Sequence, residues 1–207
     1  DQPDFTFPEN GYPGDYVNTI AAEIIEKHGE KFIPESDDNL NEFLPELKKY
    51  GEKWAFDKIT KTLERMNIVQ DVFYNEDSLY SEGKIEEVIN DLKSRDLVYE
   101  KDGAIWLKLT ELGLEEDRVI VKSSGEPTYR LPDIAYHREK FRRGFEILID
   151  IFGADHIATV PDVLAGVKAL GYDPEQVKVL IHQFVTLTEH GEQVKMSKRT
   201  GRSYTLD

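Results

Sequence analysis

The sequence contains no cysteine, so neither a disulfide framework nor a thiolate-bound metal can shape it. It also lacks any apolar run approaching the roughly 20 residues of a membrane span, and no charged-then-apolar leader opens it. The expectation is a cytoplasmic protein with no membrane partner. Basic residues are outnumbered, 26 Lys and Arg against 41 Asp and Glu, for a net charge of −15. This balance argues against a broad nucleic-acid-wrapping surface and leaves room only for a local basic patch.

Several catalytic signatures are missing too. There is no Walker loop, no His-Glu-x-x-His helix and no Gly-x-Ser-x-Gly elbow, which removes support for P-loop and hydrolase classes. None of the five histidines (His28, His137, His156, His182 and His190) sits in a His-x-Gly-His element. The tetrapeptide from His156 to Thr159 has Ala158 where that element has its glycine and lacks the closing histidine.

What is present is a core-forming composition, 39% hydrophobic over 207 residues, enough for one good core or two small ones. Val17, Ile20, Ala21, Ile24 and Ile25 recur at helical spacing between Asp15 and Gly29. Lys31 to Pro45 reads as a connection. Helices are then expected from about Glu46 to Met66 and from Lys84 to Arg95. Val72 to Tyr74 is β-prone, while Leu97 to Tyr99 and Ile105 to Leu107 flank Lys101-Asp102-Gly103, a hairpin turn signal.

From Arg118 onward the pattern alternates: Val119 to Val121, a helix started by Pro132, an apolar run from Phe145 to Phe152, a helix from Pro161 to Leu170, and Val177 to Leu187. Strands alternating with helices predict βαβ units, a parallel sheet and ligands at strand carboxyl ends. The fold class is therefore α/β, with a small α+β insertion. Residues 1–117 are expected to form the insertion and connective region, and residues 118–207 the sheet-bearing half.

The chemistry concentrates in Lys195-Met196-Ser197-Lys198-Arg199, followed by Thr200-Gly201. A Lys-Met-Ser-Lys loop handles nucleotides. When an amino acid attacks ATP at the α-phosphorus, charge builds on pyrophosphate, and Lys195 and Lys198 can stabilise it by contact. Gly153-Ala154-Asp155-His156 ends a predicted strand, with a glycine for close backbone approach and an acceptor and a switchable donor beside it. Asp133, in the first turn of a helix where the dipole favours its ionised form, and the nearby Tyr129 could grip a guanidinium, or could merely cap and pack.

Together these residues resemble the arginyl-tRNA synthetases, class I aminoacyl-tRNA synthetases. The resemblance runs from Pro8-Glu9-Asn10-Gly11-Tyr12-Pro13-Gly14-Asp15-Tyr16, through Tyr80, Tyr99 and Asp102 to Trp106, to Pro127-Thr128-Tyr129 and Asp133 to Tyr136. Phe152 to His156, His182 to Val185 and Lys195 to Arg199 complete it. It implies a Rossmann-like class I catalytic fold and ligation of arginine to tRNA(Arg) through arginyl-adenylate, with ATP and Mg2+ as a substrate complex and no tightly bound cofactor or metal site. It further implies arginine binding at Tyr129 and Asp133, and ATP binding at Gly153, Asp155, His156, Lys195, Met196, Ser197 and Lys198, with Lys195 and Lys198 catalytic.

The family's histidine-rich ATP motif and its helical anticodon-binding domain are not found in the sequence. The chain reads as part of a larger enzyme, inactive alone. A compact nucleotidylyltransferase would require a His-x-Gly-His turn, and a non-catalytic module on the same scaffold would require that the gene encode no flanking catalytic and helical domains.

Overall fold

The structure is a computed structural model that describes residues 14–33, 37–193 and Leu206. Its described elements fall into two compact units, residues 73–185 and residues 1–72 with 186–207.

In the second of these, α1 (Asp15–His28) ends at Gly29, whose φ of 61° suits a residue without a side chain. Helix α2 (Asp37–Arg65) starts well before the expected Glu46 and contains Pro45. Phe43, Leu47, Tyr50 and Trp54 are half-buried at helical spacing, so one apolar stripe runs through the proline. Phe32 meets Phe43 edge-on at 5.8 Å and His28 meets Tyr50 at 6.0 Å. This packing offsets the hydrogen bond that Pro45 cannot donate. The unit also holds a two-stranded antiparallel ribbon, which takes its place in the strand numbering below.

The unit of residues 73–185 contains α3 (Asp77–Ser81), α4 (Lys84–Ser94), β1 (Val98–Lys101), β2 (Ala104–Leu107) and β3 (Arg118–Val121). It continues with α5 (Arg130–Arg142), β4 (Leu148–Gly153), α6 (Val160–Ala169) and β5 (Val177–His182). The ribbon of the other unit is β6 (Thr188–Glu189) with β7 (Glu192–Gln193).

Strands β1 and β2 form the expected hairpin. Asp102 and Gly103 both have positive φ, 54° and 75°, between the paired Lys101 and Ala104, the backbone that a two-residue turn requires. Strand β3 does not open the parallel sheet as expected, because it adds antiparallel to β2. The 108–117 connection is too short for a crossover helix. It closes instead through Asp117, whose carboxylate accepts from the Thr110 amide at 3.0 Å and hydroxyl at 2.8 Å. The expected 117/118 division thus falls inside a three-stranded sheet and inside one compact unit.

Strands β4 and β5 are parallel, in register from Leu148 with Val177 to Gly153 with His182, and α6 is their crossover. The run from Phe145 to Phe152 is not buried throughout. Leu148 and Asp150 point inward, while Ile149 and Ile151 are 62% and 71% exposed in the alternation of a half-covered strand. Val72 to Tyr74 joins no strand. Tyr74 instead packs its ring on Tyr136 at 4.6 Å.

The core joins α3, α4, the three-stranded sheet, α5 and α6, with Val88, Leu92, Leu109, Ile120, Leu131 and Ile134 completely buried. Truncating any of these leucines or isoleucines to alanine would cost about 2–5 kcal/mol. Arg138, 4% exposed, ties α5 to α4 by donating to the Lys84 carbonyl at 3.1 Å and to Glu87 at 3.0 Å.

Candidate functional site

Helix α5 begins at Arg130, with Tyr129 at the cap position. Pro132 therefore occupies the third helical position rather than the first. It is tolerated there because amides of the first turn have no intrahelical partner. Asp133 follows, and Tyr136 and His137 lie three and four residues on, along the same side of the helix.

Among the described residues, three cavities share Asp133: a wide one along α5 and β4, bordered by Lys140, Arg143 and Ile149, and two smaller ones. One is bounded by Asp133, His137, Asp150, Phe152, His156 and the start of α6. The other is bounded by Tyr74, Glu76, Leu79, Pro132, Asp133 and Tyr136. Its walls are built locally. Asn75 accepts the Asp77 amide at 2.9 Å through its side chain, which turns the backbone around Glu76, and Lys84 donates to the Tyr74 hydroxyl at 3.2 Å.

Asp133 is exposed, and the cavity walls shield its side chain only in part. Burial pushes its carboxyl above the ordinary value. His137 opposes the rise, Glu76 adds to it, and His156 and Lys140 oppose it. The helix dipole was expected to favour the ionised form, but here desolvation outweighs it. Asp133 and Glu76 can neutralise an organic cation in this cavity, while Tyr74 and Tyr136 wall it, their rings packed on each other and under the Arg143 guanidinium at 5.0 and 5.6 Å.

Tyr129 is 90% exposed and lines none of these cavities. The structure thus brings Asp133 to the site without Tyr129. Glu76, Tyr74 and Tyr136 escaped the sequence reading as site residues. Tyr136 and His137 carried a signal in their helical spacing from Asp133, whereas Glu76 carried none, since a chain reversal brings it in.

Gly153 ends β4, and Ala154–His156 form a 3-10 turn at the strand's carboxyl end, the position expected for a ligand-facing loop. The His156 ring stacks on Phe152 at 5.3 Å, and its Nε2 is 3.8 Å from Asp155 Oδ2. Both Asp155 and His156 are exposed, and His156 also borders the Asp133 cavity. His182, paired in register with Gly153, is exposed at the adjacent strand end. Lys195, Met196, Ser197 and Lys198 lie outside the described residues.

The model of the family "tRNA synthetases class I (R), catalytic domain" matches residues 19–207. The chain belongs to this family.

Among its relatives within the family, the arginine–tRNA ligase of Desulfotalea psychrophila is 57% identical over 99% of the chain. Those of Chlorobium phaeobacteroides and Geobacillus kaustophilus are 48% and 45% identical over 97% and 98%. In each comparison the chain spans 36% of the relative's length. A solved Campylobacter jejuni protein described as an arginyl-tRNA synthetase superposes with a TM-score of 0.79 at 34% identity, over 93% of this chain and 41% of that one. The arginyl-tRNA synthetase of Thermus thermophilus, 18% identical over 71% of this chain and 34% of that one, shares the fold with a TM-score of 0.57. The α/β class expected of a class I synthetase catalytic domain therefore holds for this family member.

Proposed function

We propose that this chain supplies the arginine pocket and part of the ATP site of an arginine–tRNA ligase. The enzyme activates arginine with ATP to arginyl-adenylate and transfers the arginyl group to tRNA(Arg). The observation that carries this reading is the Asp133 cavity, which a carboxylate on α5 shares with Glu76 beside the packed rings of Tyr74 and Tyr136. A guanidinium is planar, always charged and a donor on several edges, so two carboxylates and an aromatic wall complement it better than they complement an ammonium.

In this reading Asp133 and Glu76 take the guanidinium. Tyr129, the cap residue of α5, joins them in holding the arginine side chain. The α-carboxylate of arginine attacks the α-phosphorus of ATP and pyrophosphate leaves. Gly153, Asp155 and His156, at the carboxyl end of β4, are suited to face the adenylate. Lys195 and Lys198 neutralise the leaving pyrophosphate, and Met196 and Ser197 complete the loop over the nucleotide. Mg2+ enters with ATP as part of the substrate complex. The arginyl group then passes to the 3′ end of tRNA(Arg) in the cytoplasm.

The test is aminoacylation by the full-length protein with arginine and with citrulline, which has the same shape but a neutral ureido group. Arginine-dependent charging with citrulline rejected by at least about a hundredfold is expected. Comparable use of both, or no charging of tRNA(Arg), would overturn the reading.

A further inference from the structure

His137 lies one turn beyond Asp133 on α5 and is 4% exposed. Its Nδ1 is 2.7 Å from the Asp133 backbone carbonyl oxygen, and its Nε2 is 2.6 Å from Asp150 Oδ2. A carbonyl oxygen can only accept, so Nδ1 carries a proton. The other Asp150 oxygen accepts from the Lys140 ammonium, and the charged partners around it hold the Asp150 carboxyl below its usual range, in the ionised form. Its Oδ2 is then an acceptor as well, and Nε2 must also carry a proton. Lys140 Nζ lies 3.4 Å from the same nitrogen, too far to compete with the 2.6 Å contact. The ring, enclosed between α5 and β4, therefore meets an acceptor at each nitrogen.

Lys140 alone would be enough to pair with Asp150 and hold the strand to the helix. The second donor is distinguished by its location. It borders the same cavity as Asp133, and its other hydrogen bond ends on the backbone of Asp133 itself.

We propose that His137 is a positioning residue for the cation-binding carboxylate: it fixes the Asp133 turn through the backbone carbonyl and sets a buried positive charge beside the Asp133 side chain, with Asp150 as its counter-ion. The inference rests on Asp133 being the arginine-binding carboxylate.

The groups that face Asp133 come from several elements. Glu76, ahead of α3, is the like charge, while His137 and Lys140 on α5 and His156 after β4 are the opposing groups; Arg143, at the end of α5, and Asp150, on β4, border the same space. The phenols of Tyr74 and Tyr136 border the cavity that Asp133 shares with Glu76. From α6 the cavity bordered by His156 receives Val160, Val163 and Leu164, none of them ionisable. Burial and Glu76 favour the protonated Asp133, which cannot hold a cation, and the His137 charge works against them. Without that charge Asp133 protonates at higher pH, so arginine affinity should fail earlier as the solution is acidified.

The experiment measures kcat and the arginine KM of the full-length protein across the acid range, for the parent, His137→Gln and Asp150→Asn. His137→Gln keeps a donor but loses the charge. The Asp150→Asn amide can donate to a neutral Nε2, so the imidazolium loses its counter-ion while the hydrogen bond survives. Both variants should raise the arginine KM with kcat little changed. Both should move the acid limb of kcat/KM upward by roughly one pH unit, and the double variant should move it no further than the larger single shift.

A purely structural role would lower the melting temperature and the active fraction but leave the limb in place. An unmoved limb in Asp150→Asn, or in His137→Gln if that variant folds, overturns the proposal. Asp133→Asn separates the two levels of the reading. If it loses arginine affinity while the other limbs stay put, only the positioning role fails; if it binds arginine like the parent, the arginine pocket itself was misassigned.

Discussion

Arg130 donates through Nε to Asp162 Oδ2 at 2.6 Å, joining the first turn of α5 to the first turn of α6. Arg118, at the start of β3, brings its Nε to 3.7 Å from the same oxygen. One buried carboxylate thus holds together the β-sheet, the helix that carries Asp133 and the crossover of the parallel pair.

Removing that carboxylate should cost Arg130 its 2.6 Å ion pair, while Arg118 keeps Glu116 at 2.6 Å. Asp162→Ala is expected to destabilise the protein by about 3 kcal/mol, toward the low end for a broken buried pair because Arg118 and Arg130 keep partial solvent access. A lowered urea midpoint measures the loss, and a midpoint unchanged from the parent would refute it.

Helices α5 and α6 approach closely at Gly166, where an added methyl would overlap the completely buried Ile134 side chain. Alanine usually strengthens a helix, by about 1 kcal/mol over glycine. Here Gly166→Ala should instead cost about 1–3 kcal/mol by overpacking, read as a fall in melting temperature. An increase would mean that Ile134 can move aside.

Burial works against ionisation of Asp150, but hydrogen bonds from His137 and Lys140 and their charges outweigh it and hold the carboxyl below its usual range. A group whose pKa is lowered by folding contributes stability above its unfolded value, and that stability fades as pH falls through the folded value. The melting temperature should therefore drop progressively below about pH 4, and Asp150→Asn should flatten that slope while lowering stability at neutral pH. An identical pH slope in the variant would contradict the assignment.

The two halves of the proposed active site should fail differently. Lys198→Ala removes a cation needed only as pyrophosphate leaves, so kcat should fall roughly a hundredfold or more with the arginine KM nearly constant. Asp133→Ala should mainly raise the arginine KM. Steady-state kinetics on the full-length protein separates them, and a reversed pattern would exchange the roles.

How much of this was legible in the chain varied with how local the cause was. The hairpin at Asp102-Gly103 and the end of α1 at Gly29 follow from backbone preferences of a few residues, and both were read correctly. The start of α2 was missed because Pro34, Ser36, Asp37 and Asp38 signal a turn, whereas Phe43, Leu47 and Tyr50 gain by continuing one helical stripe through Pro45. The direction of β3 was missed because Val119 to Val121 suits either kind of sheet, and the neighbour is chosen by the short Asp117-closed connection before it.

The sequence by itself determined the α/β class, the family and the place of Gly153 to His156 at a strand end, since each depends on residue type, spacing and order. Only the tertiary structure decided what surrounds Asp133. Glu76 and Tyr74 lie more than fifty residues earlier in the chain, and Asp150 lies on another element. Charge coupling depends on distance and solvent exclusion, which the fold sets and separation along the chain does not.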